Sequence, residues 1–309
     1  MNALVSVIIP VYNREHLVSQ AIESVLAQTY QPVEIILIND GSTDASLSVL
    51  RKFETLFPDQ IRVIDQPNQG QIIARNNGIQ AARGEYIAFL DSDDLWLENK
   101  LERQMPLFQD GVGLVYSGTE VIDKEGQTIR VEPADGSITG NIYPQLLIKN
   151  RMTGGTVVVT AEALWHVGLF STDFKAAENW DLWLRISKVY SVRVVRDPLV
   201  RYRVHDGNMS GDAQLMIHAK LQIMEKHCDL QSKDVAVARC SRLAYADYHY
   251  RKGLIYFANA EYRIARKEFF RVTVYCQNYK DTWLRIIRTY LGKRGNSVLR
   301  LVKRNSLTD

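Results

Sequence analysis

Short apolar runs alternate with longer amphipathic stretches along the first half of the chain. Leu4-Val-Ser-Val-Ile-Ile-Pro10 is apolar at nearly every position and stops at Pro10. Val33-Glu-Ile-Ile-Leu-Ile38 is a second run, Ile61-Arg-Val-Ile64 a third and Tyr86-Ile-Ala-Phe-Leu90 a fourth. Such runs predict strands buried on both faces. Between them, residues 14–29 place Leu17, Ala21, Val25 and Leu26 on one helical stripe. A second helix is expected after Gly41, with Ser42 or Thr43 as N-cap, and a third from Gln71 to Ala82, ended by Gly84. Four strands alternating with three helices predict an α/β fold: a mainly parallel sheet with helices on both faces.

The pattern then loosens. Val112-Gly-Leu-Val-Tyr-Ser117 predicts a fifth strand, and Val121 to Val131 a hairpin turning at Lys124-Glu-Gly126. Val157-Val-Val159 and Val192-Arg-Val-Val195 predict strands on either side of an amphipathic helix that begins near Glu178 and carries Leu182, Ile186 and Val189 on one stripe. Residues 213–304 hold few Gly and no Pro and read as helices. Within them, Gly253-x2-Tyr256 and Ala265-x3-Phe269 match one tetratricopeptide-like hairpin, too few repeats for a solenoid.

Charge divides the chain at a similar place. Residues 1–210 carry 19 Lys+Arg against 26 Asp+Glu, and residues 211–309 carry 19 against 9, leaving −7 and +10 of the net +3. The shift follows the loop Asp206-Gly-Asn-Met-Ser-Gly211. It predicts a domain over 1–210 and a basic α-helical C-terminal region over 211–309.

The fourth strand ends in Asp91-Ser92-Asp93-Asp94. Acids cannot continue a buried strand, because an unpaired buried charge is costly. They therefore belong at its C-terminal mouth, where open α/β sheets bind ligands. Asp91 and Asp93 are two apart, on one face of an extended chain. Hard carboxylate oxygens held that close suit Mg2+ or Mn2+, which take one or two carboxylates and the phosphates of a substrate. The competing reading is a polar turn with Asp93 or Asp94 capping the next helix. The first turn, Pro10-Val-Tyr-Asn-Arg14, lacks G-x-G-x-x-G, which disfavours a dinucleotide site. Polar groups at three strand ends, Tyr12-Asn13, Asn39-Asp40 and Asp91–Asp94, suit a mononucleotide instead.

Five blocks in order resemble the motifs of family 2 glycosyltransferases with the GT-A fold. They are Val5-Ser-Val-Ile-Ile-Pro-Val-Tyr-Asn13, Ile38-Asn-Asp-Gly-Ser-Thr-Asp44, Asn68-Gln-Gly-Gln-Ile-Ile-Ala-Arg-Asn76, Gly84-Glu-Tyr-Ile-Ala-Phe-Leu-Asp-Ser-Asp-Asp94 and Glu178-Asn-Trp-Asp-Leu-Trp-Leu-Arg185. The resemblance covers about residues 4–205. It implies an inverting, divalent-metal-assisted transfer of a sugar from a nucleotide-sugar donor to a saccharide or lipid-linked acceptor, in cell-surface glycan assembly. It implies that the first and fourth strands are neighbours. It also implies roles: Pro10 and Tyr12 flanking the base, Asp40 on the base or ribose edge, Arg75 near the nucleotide, Asp91 with Ser92 at the ribose, and Asp93 on the metal. A late His completes the metal site in several GT-A enzymes, which points to His205; contact with the diphosphate or a surface position remain its other readings. Thr153 to Thr156 are expected near the acceptor.

Inversion needs the acceptor hydroxyl deprotonated on the face opposite the leaving group. The family usually has Glu-Asp here, with the Asp as base, whereas this chain has Asn179, which accepts no proton. Glu178 is then the first candidate and Asp181 the second; both also suit a helix start, where the dipole favours acids. Asn179 motivates an alternative, a non-catalytic nucleotide-sugar-binding or assembly subunit.

No apolar run is long enough to span a bilayer and no signal peptide is evident, so a cytoplasmic location is expected. Cys228, Cys240 and Cys276 match neither a disulfide framework nor a metal motif. Near the end, Trp283, Leu284, Ile287, Tyr290 and Leu291 form an apolar helical face among Arg285, Arg288, Lys293, Arg294, Arg300, Lys303 and Arg304, with no acid between 282 and 308. A basic amphipathic end suits peripheral contact with the inner face of a membrane, and equally a core-packed helix with a solvated face. No nucleic-acid-reading motif accompanies the charge, and no nucleic acid is expected as partner.

Overall fold

The computed structural model describes residues 2–205 and 212–291. The expected boundary loop 206–211, and Lys293, Arg294, Arg300, Lys303 and Arg304, lie outside the described residues. The chain divides into two compact units, residues 1–143 with 150–211, and residues 144–149 with 212–309.

In the first unit, β1 (Val5–Val11), α1 (Val18–Leu26), β2 (Val33–Asp40), α2 (Ser46–Leu56), β3 (Ile61–Gln66), α3 (Gln71–Ala81) and β4 (Tyr86–Phe89) follow the expected alternation. Next come β5 (Leu95–Trp96), α4 (Lys100–Gln104), β6 (Val112–Ile122) and β7 (Thr128–Glu132). After α5 (Tyr143–Ile148), the chain returns through β8 (Val158–Thr160), α6 (Ala161–Val167), α7 (Glu178–Val189) and β9 (Ser191–Arg203). All strands join one sheet of order β3-β2-β1-β4-β8-β6-β9-β5, with β7 paired to β6.

β1 lies between β2 and β4 and is parallel to both, with Val5 opposite Val33 and Tyr86. Strand order reverses at β1, so the gap between the C-terminal ends of β1 and β4 is the crevice where a ligand fits. Side chains alternate across this strand. Val5, Val7 and Ile9 join Val18, Ala21, Ile22 and Val25 of α1 in one core cluster. Ile8 meets α3 at Gly78, where an added Cβ would come within 2.5 Å of the Ile8 side chain.

Beyond β4 the sheet is mixed rather than parallel throughout. β8 pairs antiparallel with both β4 and β6, while β6 and β9 are parallel. The expected hairpin forms between β6 and β7, with Gly126 at φ 86° in its turn. Helix α1 begins at Val18, four residues later than expected, because the preceding loop carries polar contacts instead. Helix α2 begins at Ser46, and neither Ser42 nor Thr43 caps it. Ser42 Oγ accepts from Asn13 N at 3.1 Å, and Asn13 Oδ1 accepts from Thr43 N at 2.8 Å, so these residues tie the first two strand ends together.

The second unit holds α5 from Pro144 on, α8 (Ala213–His227), α9 (Val235–Ala258), α10 (Tyr262–Tyr275) and a helix, α11, over 282–291. α9 and α10 form the expected hairpin. Ala246, Tyr250, Ala265, Phe269, Val272 and Ile286 make its core. An added Cβ at Gly253 would come within 2.6 Å of Phe269, so the glycine lets the aromatic ring lie against α9. Buried Asp247 binds Lys220 at 2.5 Å, Arg251 at 2.6 Å, Tyr279 at 2.6 Å and Lys280 at 2.8 Å. Among the described residues no helix is long and apolar enough to cross a membrane.

Candidate active site

The carboxylates follow β4, where the buried run gives out. Leu90 N still bonds to Ile8 O at 3.1 Å, and the chain then turns, Asp94 N donating to Asp91 O at 3.0 Å. Asp91 and Asp93 flank Ser92, which is buried. Asp91 Oδ1 accepts from Arg75 Nη2 at 2.6 Å and from Gln71 Nε2 at 2.9 Å. Asp93 Oδ2 accepts from Arg14 Nε at 3.3 Å and lies 3.1 Å from His205 Nε2. Asp94 is buried and accepts from Arg203 N at 2.8 Å. It caps no helix; it anchors the end of β9.

Arg203 makes that anchor rigid. Its Nε donates to Asp93 O at 2.9 Å, its Nη1 to Lys124 O at 3.0 Å and its Nη2 to Gln20 Oε1 at 3.1 Å. His205, two residues on, is thereby carried to Asp93. A cavity of about 310 Å³ opens beside this pair, lined in part by Asn13, Arg14, His16, Lys124 and His205.

Arg75 is the hub. It lies one turn into α3, is 1% exposed, and donates from Nη2 to Asp91 and from Nη1 to Glu178 Oε1 at 2.7 Å. The Asn179 Oδ1 is 3.4 Å from the same Nη1, and the guanidinium lies 5.6 Å from the Phe170 ring centroid. Burial would disfavour the charged guanidinium, but Asp91 and Glu178 more than offset this and raise its pKa. Desolvation pushes Asp91 above the usual carboxylate range; Arg75 pulls it back and Asp93 pushes it up again. Asp94 is pushed well up, by burial first and then by Asp91 and Asp93.

Glu178 opens α7 directly after Ala177, whose φ of 64° is left-handed. That conformation is uncommon for a residue with a Cβ and re-aims the chain at the helix start. Asp181, one turn on, is fully buried, and its Oδ2 accepts from Arg185 Nε at 2.9 Å. The same guanidinium reaches Val167 O, Gly168 O and Leu169 O, so this pair pins α7 to the segment after α6.

On the other side, Pro10 is buried inside β1, and Tyr12 is 47% exposed beyond its end. Asp40 is buried; its Oδ1 accepts from Gln66 Nε2 and Gln69 N, both at 2.8 Å, and its Oδ2 from Gly70 N at 2.9 Å. Asp40 thus holds the loop before α3. At Gly41, with φ +69°, a Cβ would come within 2.6 Å of Asn68 N, so the two loops touch there.

The segment Thr153–Thr156 lies beside Arg75 and Asn179. An added Cβ at Gly154 would lie 3.5 Å from the Asn179 amide and 3.7 Å from Arg75 Nη2. From below, Trp96 Nε1 donates to Gly155 O at 3.0 Å and Gln104 Nε2 to Thr156 O at 2.9 Å. Buried Lys100 supports Gln104 at 2.7 Å and sits 3.9 Å over the Trp96 ring. Sequence reasoning missed Arg14, Gln71 and Arg203 as parts of this constellation. Arg14 and Gln71 lie beside or within the quoted motifs and Arg203 two residues before His205, and only their partners were unreadable.

Residues 6–166 match the profile described as glycosyl transferase family 2. The chain belongs to this family, and its fold is of the GT-A type. An uncharacterized glycosyltransferase of Rickettsia felis is 32% identical over 208 residues, which span 65% of this chain and 34% of that protein. The chain thus covers about a third of that relative's length. The UDP-Glc:alpha-D-GlcNAc-diphosphoundecaprenol beta-1,3-glucosyltransferase WfgD of Escherichia coli is 32% identical over 219 residues, 68% of this chain and 80% of that one. Among solved structures, the mannosyltransferase PcManGT of Pyrobaculum calidifontis in complex with GDP-Man and Mn2+ aligns with TM-score 0.61 at 18% identity, covering 94% of this chain and 85% of that one. S. aureus TarS 1-349 in complex with UDP-GlcNAc aligns with TM-score 0.61 at 17% identity, covering 93% and 89%. At these identities the structural likeness speaks to the fold alone.

Proposed function

We propose that the protein is an inverting, metal-dependent glycosyltransferase that moves a sugar from a nucleotide-sugar donor to a saccharide or lipid-linked acceptor in cell-surface glycan synthesis. The observation that carries this reading is Arg75, which joins Asp91 on the β4 side to Glu178 on the α7 side through bonds of 2.6 and 2.7 Å. One buried cation thereby fixes two carboxylates with different tasks.

In this reading, Tyr12 offers its exposed ring to the base beyond Pro10, and Asp91 with Ser92 meets the ribose. Asp40 shapes the loop beside the nucleotide. Arg75 positions both acids from beneath and, being buried, leaves the nucleotide to them. The donor set at Asp93 and His205, one carboxylate and one imidazole nitrogen 3.1 Å apart, fits Mn2+ or Mg2+ that takes its other ligands from phosphates. Among the described residues no group of three His, Cys, Asp or Glu side chains could hold a metal ion. When bound, the ion would neutralise charge on the departing diphosphate.

Glu178 takes the proton of the acceptor hydroxyl. The oxygen forms its bond to the anomeric carbon on the face opposite the diphosphate, the bond from that carbon to the phosphate oxygen breaks, and a nucleoside diphosphate leaves. Glu178 is preferred to Asp181 because its arginine partner, Arg75, also holds Asp91 of the crevice, whereas the partner of Asp181 is Arg185, tied to Val167 O, Gly168 O and Leu169 O. WfgD, whose name specifies a diphosphoundecaprenol acceptor, supports a lipid-linked acceptor.

A screen of purified nucleotide-sugars, reading release of nucleoside diphosphate with and without Mn2+, tests the proposal. Release with at least one donor, lost in chelator, is the expected result. Calorimetric, metal-linked nucleotide binding with neither hydrolysis nor transfer across a broad acceptor panel would instead establish the non-catalytic subunit that Asn179 suggests.

A further inference from the structure

Helix α11 is amphipathic the wrong way round for a helix facing water. Its packed side presents Thr282, Ile286 and Thr289, all buried. Its outer side presents Trp283, Leu284, Ile287, Tyr290 and Leu291, with Trp283 52%, Ile287 55% and Tyr290 63% exposed. At 100° per residue these five occupy one continuous stripe, where a solvated helix would carry its polar residues. The stripe is not short of polar partners of its own. Trp283 Nε1 donates to Gln277 O at 3.0 Å, and the Arg266 guanidinium lies 3.4 Å over the Tyr290 ring.

We propose that this outer face of α11 docks on an anionic bilayer surface. Three observations select that occupant. Trp and Tyr, with an apolar body and a polar edge, favour the boundary between headgroups and acyl chains. Arg288 borders the stripe, Arg285 lies beyond it and pairs with Asp281 at 2.9 Å, and residues 211–309 carry 19 Lys+Arg against 9 Asp+Glu. Acidic headgroups complement this charge, whereas a second copy of the same basic face would be repelled. Among the described residues no helix is long and apolar enough to cross a bilayer, and the proposed contact lies in the plane of the interface.

Vesicle binding is read without donor or acceptor, so its outcome is independent of the transferase reading. The full chain is sedimented with phosphatidylcholine vesicles, with and without phosphatidylglycerol. The expected result is co-sedimentation that needs the anionic lipid and weakens with salt. Trp283→Ser with Ile287→Ser keeps every charge and removes apolar area; it should cut the bound fraction at least about tenfold at an unchanged melting temperature. Tyr290→Ser with Leu291→Ser, on the same stripe, gives a second reading if the first pair lowers the melting temperature. Wild type that stays in solution with anionic vesicles overturns the proposal. So do folded variants that bind like wild type, which would assign binding to charge alone. A lipid-free dimer in ultracentrifugation that the same variants abolish overturns it too, in favour of a second copy.

Discussion

Arg75 Nη1 lies 2.7 Å from Glu178 Oε1, although 103 residues separate them and both are buried. The guanidinium holds the carboxylate in one rotamer while its other arm grips Asp91. Glu178→Gln keeps the size and one acceptor oxygen for Arg75 but takes no proton. It is expected to lower kcat by about 10²- to 10⁴-fold with little change in donor KM, read by steady-state transfer kinetics. Asp181→Asn should show the opposite: a lower melting temperature, because Arg185 loses its charged partner, with chemistry retained in the folded fraction. Wild-type turnover in Glu178→Gln beside an inactive, fully folded Asp181→Asn would move the base to Asp181.

Asp93 stands between Arg14 and His205, and in the proposed reaction it is the carboxylate nearest the diphosphate. Asp93→Ala should lower turnover at least about 100-fold, the scale of losing one major electrostatic stabiliser. Excess chelator should silence wild type, with Mn2+ or Mg2+ restoring it. Full activity in chelator would remove the metal from the mechanism.

Asp40 spends its oxygens on Gln66, Gln69 N and Gly70 N, so its effect on the donor runs through the loop before α3. Asp40→Asn turns one acceptor into a donor facing those N–H groups. It should cost about 1–3 kcal/mol of stability, the price of an unmet buried hydrogen bond. Thermal melts should record that loss, and calorimetry a weaker nucleotide affinity. An unchanged melt with lost affinity would mean that Asp40 touches the nucleotide directly.

Burial alone would raise the Asp247 carboxyl. The Lys220 ammonium, with Lys280 and Tyr279, reverses this and holds it far below the usual range. A carboxyl depressed in the folded state stabilises it fully above the unfolded pKa of about 3.9, and this contribution fades as pH falls below that value. Asp247→Asn should therefore destabilise the second unit by about 3–5 kcal/mol at neutral pH, by leaving Lys220 buried without its counter-charge. Urea melts at pH 7 and at pH 3 should show the gap between mutant and wild type narrowing at the lower pH; a constant gap would refute the charge argument.

Much of this protein is local and so legible in its sequence. The apolar runs ending at Pro10, Ile38 and Leu90 became β1, β2 and β4 because burial on both faces leaves no room for polar positions, while the run ending at Ile64 became β3, an edge strand fully buried only at alternate positions along that run. The ordered motifs carried the parallel pairing of β1 with β4, and hence the crevice beside Asp91 and Asp93. Gly253 and Phe269 carried the α9–α10 hairpin. Other features depend on residues far apart in the chain, which periodicity does not report. Antiparallel β8 enters beside β4 through pairings of Tyr86 with Thr160 and Ile87 with Val159, so the second half of the sheet is mixed. Arg75 could be placed on a helix near the acidic mouth, but not between Asp91 and Glu178, since that requires α7 to fold back over the crevice. Glu178 and Asp181 looked alike as helix-start acids; the tertiary structure gave one to Arg75 and the other to Arg185. The apolar stripe of α11 was equally open between a core face and an outer face. Packing decided it, because Thr282, Ile286 and Thr289 are the side chains that turn inward.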